Sequence, residues 1–64
     1  MIKNVSDVMA NDIVKYGDDI VVIDSVNELG GDIFLGGYYE ENGENFLVGF
    51  GEDENIIVVG TVGE

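Results

Sequence analysis

Cysteine, histidine, proline, tryptophan and arginine are all missing from this chain, and only two lysines, Lys3 and Lys15, carry positive charge. Without cysteine there is no disulfide, and without cysteine or histidine there is no zinc site, so a domain this short must hold its fold by packing alone. The lack of cysteine leaves the redox compartment open. The missing proline means that no strand candidate is demoted to an edge on that ground. The lack of histidine, cysteine and arginine removes the usual general base, thiolate nucleophile and phosphate clamp. Ser6, Ser25 and Thr61 have only lysine to activate them, and no motif marks a carboxylate pair. The chain is therefore expected not to be an enzyme, with no catalytic residue and no cofactor. Residues 1–4 hold one cation and no apolar run long enough for a signal peptide or a membrane span, which leads to the expectation of a cytoplasmic protein.

Acids are what the chain has in excess. Fourteen Asp and Glu against two Lys give 64 residues a net charge of −12. A compact chain of this length has a radius of gyration of about 11 Å and a diameter of roughly 28 Å. Duplex DNA carries about 16 charges over that length, so the protein and DNA have similar charge per length. Direct binding to nucleic acid is disfavoured, and meeting a basic protein surface is favoured. Residues 24–32 are acidic enough to suggest a calcium loop. That stretch puts Val26 where an EF-hand needs a ligand and has its glycine at the wrong offset, so no metal site is expected.

Residues 32–51 contain five of the six aromatic residues and read as a hairpin about an Asn42-Gly43 type I′ turn. Counting outward sets Glu41 against Glu44, Tyr39 against Phe46, Tyr38 against Leu47, Gly36 against Gly49 and Leu35 against Phe50. Ile33, Leu35, Tyr39, Phe46, Val48 and Phe50 then share the core face, and Phe34, Tyr38 and Leu47 share the other. Paired glycines in two strand interiors imply a sharp bend or a close backbone approach.

Elsewhere, residues 4–10 read as a short helical turn with Asn4 as N-cap and Val5, Val8 and Met9 on one face, plugging one end of the core. Residues 12–16 read as the first strand, Gly17-Asp18 as a turn, and 20–26 as a β-branched strand that is covered on both faces or strongly bent. Residues 27–31 read as a loop and 56–62 as the last strand. The whole is expected to be one mainly β domain, 1–64. Its form would be a small five-stranded antiparallel barrel of the Src-homology-3-like type with a short N-terminal helical turn, or else an oligonucleotide-fold or Sm-like barrel. No repeat or linker interrupts it.

In such a meander the turns alternate between the two ends of the sheet. Asp18 and Asp19 then join Glu40, Glu41 and Glu44 at one pole, while Glu28, Asp32, Glu52, Asp53 and Glu54 gather at the other. The function expected from this is a nucleic-acid mimic, a rigid acidic body that fills the basic groove of a nucleic-acid-binding enzyme or regulator and inhibits it. Small inhibitors of this general kind are commonly encoded by phages and mobile elements. The partner-binding residues would be Asp18, Asp19, Phe34, Tyr38, Glu40, Glu41, Glu44, Glu52, Asp53 and Glu54, on a monomer or homodimer. The alternative is a non-catalytic interaction or assembly module that receives its partner on an aromatic face made by Phe34, Tyr38 and Tyr16. Because the charge is nearly all of one sign, added salt at pH 7 should raise the melting temperature by screening. A melting temperature that ignores salt would show the acids too dispersed to repel one another.

Overall fold

Strands β2 (Asp12–Tyr16) and β3 (Asp19–Leu29) are joined by Gly17 and Asp18, with positive φ at Gly17 and Tyr16 opposite Asp19, as in a two-residue hairpin with glycine first. The computed structural model to which they belong describes residues 1–63. Together with β1 (Ile2–Asn4), β4 (Asp32–Tyr39), β5 (Asn45–Gly51) and β6 (Asn55–Thr61) they make one antiparallel sheet in the order β1-β6-β2-β3-β4-β5. The sheet is open, with β1 and β5 at its edges, and among the described residues it has six strands where five were expected. The extra one, β1, is three residues long, too short for an alternating pattern to announce it. Its place is set by pairing Ile2 with Ile57 and Asn4 with Asn55.

β3 is the spine. Its first residues pair with β2, and from Val21 to Leu29 it pairs with β4, so both halves of the sheet share it. Between Ile23 and Ser25 the register slips, leaving Asp24 as an extra residue. Such a bulge bends its strand and increases the local twist. Opposite it lies Gly37, where a Cβ would overlap the carbonyl oxygen of Val22. The close backbone approach inferred from glycine therefore exists, but it falls at Gly37 rather than at a Gly36–Gly49 pair.

The turn chemistry also differs from expectation. Only Gly43 has positive φ in the β4–β5 link, whereas a type I′ turn needs it at both central residues. Asn42 instead uses its side-chain oxygen to accept from the Glu44 N–H at 2.9 Å. The loop takes residues 40–43, closed by the Gly43 N–H donating to the Tyr39 carbonyl at 2.7 Å. Hence Tyr38 faces Asn45, Gly36 faces Leu47 and Leu35 faces Val48, a slip of two residues from the expected register. A slip of two leaves every side chain on its face. Ile33, Leu35 and Phe46 are buried, with Tyr39, Val48 and Phe50 packed against them. The two successive positive-φ residues characteristic of type I′ lie at Gly30-Gly31, where Leu29 meets Asp32, so β3 runs on through part of the stretch read as a loop.

The N-terminal turn is shorter than the expected 4–10. It is a single 3-10 turn, Val5–Asp7, with Asn4 as N-cap accepting from the Ser6 N–H at 2.9 Å. Val5 and Val8 join the core, but Met9 is exposed, because the helical turn ends at an extended Val8 and the chain turns again at residues 10–11. The core they cap includes Val14 of β2, Val21 and Ile23 of β3, and Ile56 and Val58 of β6.

Twist explains how β5 connects to β6 without pairing with it. Counting antiparallel steps along the sheet gives the two strands the same nominal sense, so the link at 52–54 cannot make a hairpin. Four pairings separate them, and at roughly 20–25° each they turn β5 by about 80–100° relative to β6. Three residues then suffice to round the corner. The same curl carries Tyr16, at the end of β2, onto Phe46 and Phe50 of β5, with ring centroids 5.1 and 6.0 Å apart and both pairs edge-on.

If the bend depends on Gly37, then Gly37→Ala should exceed the ~1–3 kcal/mol usual for overpacking, since backbone rather than side chain must move. Gly60→Ala, whose Cβ would meet only the tip of Ile13 at 3.9 Å, is the control and should stay near wild type. Equal denaturation midpoints for the two variants would refute the bend.

Candidate functional site

Of the thirteen acids among the described residues, twelve are exposed and one, Asp12, is buried. That one is paired with a half-buried cation. Lys3 Nζ lies 3.1 Å from Asp12 Oδ2, which also accepts from the Met9 N–H at 3.0 Å. This is the one salt bridge among the described residues. The ordering β1-β6-β2 brings Lys3 across β6 to Asp12. Nothing in the local sequence separates Asp12 from the other acids, and sequence reasoning missed it for that reason. Its effect on the surface is that the twelve outer acids face a single exposed lysine, Lys15.

The hairpin pole forms around a hydrogen bond from the Glu40 N–H to the Ile20 carbonyl, 2.9 Å. It ties the β4–β5 loop to the start of β3. Asp18, Asp19, Glu40 and Glu41 thereby line one shallow cavity of about 220 Å³ together with Ile20 and Tyr39. Glu44 is exposed on the far limb of the loop and does not line it. Since the loop holds four residues, Glu41 no longer stands opposite Glu44. That removes the repulsive pair that a two-residue turn would have imposed.

At the other pole, Glu54 folds back on the end of β5. Its Oε2 accepts from the Gly51 N–H at 2.6 Å, and its own N–H donates to the Gly51 carbonyl at 3.0 Å. Asp53 also lies against Gly51, and Asp32 pairs with Gly51 across the sheet. Glu52 is exposed in the same turn, and Glu28 is exposed near the far end of β3. Among the described residues no three acids converge as a metal ion would require.

The aromatic face is smaller than expected. Tyr38 is 40% exposed, while Phe34 is half-buried with its ring lying over Gly49, where it fills the space of the missing side chain. Leu47, 72% exposed, stands beside them. Tyr16 belongs to the opposite, concave side through its contacts with Phe46 and Phe50. With residues of both faces, Ile2, Lys15, Phe50, Ile56 and Ile57, it also lines an apolar groove of about 400 Å³. This groove occupies the angle where β5 and β6 diverge. Sequence reasoning did not find it, because it depends on the curl of the sheet.

No known protein family matches the chain, nor does any curated protein or solved structure. No helix among the described residues is long and apolar enough to cross a membrane.

The two kinds of acid should behave oppositely when removed. Asp12→Ala deletes two hydrogen bonds to a carboxylate, so stability should fall by about 1.5–3 kcal/mol although net charge is reduced. Glu41→Gln removes the same charge from the exposed cavity and should leave stability unchanged or raised. Urea denaturation of both variants checks this, and a loss at Glu41 as large as that at Asp12 would contradict it.

Proposed function

We propose that this protein is a nucleic-acid mimic that seats its carboxylates in the basic groove of a nucleic-acid-binding enzyme or regulator, inhibiting it without catalysis. The observation that carries the reading is the nearly single-signed surface, with twelve exposed acids against one exposed lysine while the other, half-buried lysine is paired with Asp12. An ordinary soluble surface mixes both signs. The body measures 30 × 23 × 21 Å, and duplex DNA of that longest dimension carries about 18 charges against the protein's −12. Acids held in turns of a curled sheet lose less entropy on docking than a flexible acidic tail would.

The scaffold we propose is a half-open barrel of the Src-homology-3-like type. Support comes from the long bent β3 shared by two halves, from β6 lying beside β2, and from the contact of Tyr16 with β5 across the concavity. The contact surface centres on Asp18, Asp19, Glu40 and Glu41, with Glu44 and Tyr38 at its margin. Glu52, Asp53 and Glu54 form a second surface at the other pole. Tyr38 can stack on an arginine of the partner.

The experiment compares two charge reversals for capture of basic proteins from lysate at low and high salt. One changes Asp18, Asp19, Glu40 and Glu41 to Lys, and the other changes Glu52, Asp53 and Glu54 to Lys. The first should abolish capture with its circular dichroism unchanged, and duplex DNA should displace wild-type protein from the captured partner. A partner that holds this protein and its nucleic acid together, with neither weakening the other, would exclude mimicry.

A further inference from the structure

The outer strand β5 is an edge that no described residue covers. The Tyr39 N–H donates to the Glu44 carbonyl at 2.9 Å, which identifies these two as a hydrogen-bonded pair. In an antiparallel ladder bonded and non-bonded pairs alternate. Phe46, Val48 and Phe50 therefore direct their N–H and C=O groups at β4, and Asn45, Leu47, Gly49 and Gly51 direct theirs outward. Gly51 is satisfied within the chain by Glu54, through both its groups. Asn45, Leu47 and Gly49 are left with three outward donors and three outward acceptors. Natural edges are guarded by charges, prolines, bulges or shortness. From Asn45 to Gly51 there are seven residues with no charge, no proline and no slip in register.

We infer that β5 takes up an extended segment of a partner protein as an added strand, apolar at its centre and basic at both ends. Two observations choose this occupant. The groove of Ile2, Tyr16, Phe50, Ile56 and Ile57 meets β5 at Phe50, at the Gly51 end of the edge, where it offers an apolar seat to a side chain of an added strand. The uncharged strand is also bracketed by acids, Glu40, Glu41 and Glu44 before it and Glu52, Asp53 and Glu54 after it. Glu44 and Glu52 are eight residues apart, so cations about seven or eight residues apart on the added strand meet both brackets. Glu54, by capping Gly51, ends the ladder there and fixes how far the added strand runs. A second copy of this chain is a poor occupant, because antiparallel pairing of two β5 edges sets acid bracket against acid bracket, with −12 on each body. The inference does not rest on mimicry, since strand pairing can be read with no nucleic-acid-binding protein present.

The probe is a nine-residue peptide with two arginines at each end of a Val-Thr-Val-Thr-Val centre, followed by amide shifts and hydrogen exchange in labelled protein. Exchange at Leu47 and Gly49 should slow on binding, while Phe46, Val48 and Phe50, already bonded to β4, should change little. N-methylating one alternate set of peptide amides should weaken binding at least about tenfold, and methylating the other set should not. Replacing the arginines by glutamates should abolish it. Leu47→Pro removes an outward N–H without touching the β4 ladder and should also block binding; the methylated peptides stand in its place if that variant does not fold. The inference is overturned by no binding, by equal binding of both methylated sets, by shifts confined to the Asp18–Glu41 cavity, or by self-association of the protein at low salt with the same amides protected.

Discussion

The whole shape turns on the approach of two backbones where Gly37 lies against Val22. A sheet of six strands from a short chain has too little face to cover itself if flat, so it must fold over its own concave side. Asp24, extruded from β3, supplies the bend, and Gly37 supplies the room for it. From that point the two halves of β3 serve different neighbours, and the far ends of the sheet come together. Tyr16 reaches Phe46 and Phe50, the β4–β5 loop reaches Ile20, and Val5 and Val8 close the open end. The acidic cavity and the apolar groove follow from this bend together with the register shift between β2 and β6, where Ile13 faces Gly60 and Val14 faces Val58.

Charge is arranged to survive the crowding. The one acid taken into the interior has a lysine and a backbone N–H on its carboxylate, so its desolvation is compensated. The remaining described acids stay at turns, strand ends and the bulge, where water solvates them. Near neutral pH they repel one another, and a chain without cysteine has no disulfide to offset that. Like charge on two copies also opposes the pairing of one bare β5 edge with another, as edge lysines or prolines do in other sheets. Acidity therefore has a physical role in this fold apart from any partner.

Much of the architecture was legible in the pattern of residues. The alternation in 32–51 identified both faces of the hairpin, because the period of two survives a register slip of two. Strand β2 and the Gly17-Asp18 turn were legible for similarly local reasons. Asn42-Gly43 misled because asparagine has two uses in a turn, adopting positive φ or capping a neighbouring N–H with its side chain, and sequence does not say which. β1 was invisible because three residues carry no period. The grouping of Asp18 and Asp19 with Glu40 and Glu41 could be drawn from the order of the turns. Asp12, the groove and the free edge could not, since each depends on which strands become neighbours after the chain crosses from β5 to β6.

The curl of the sheet is the claim on which the cavity, the groove and the edge all depend, and it is open to direct measurement. Tyr16 lies on β2 and Phe46 and Phe50 on β5, strands separated by two others in the sheet. Nuclear Overhauser contacts between their ring protons, measured in selectively labelled protein, report the distance across the concave face. Centroid separations of 5.1 and 6.0 Å predict clear cross-peaks from Tyr16 to both rings. Their absence in a folded protein that keeps the β4–β5 contacts would mean a flatter sheet and would contradict the account.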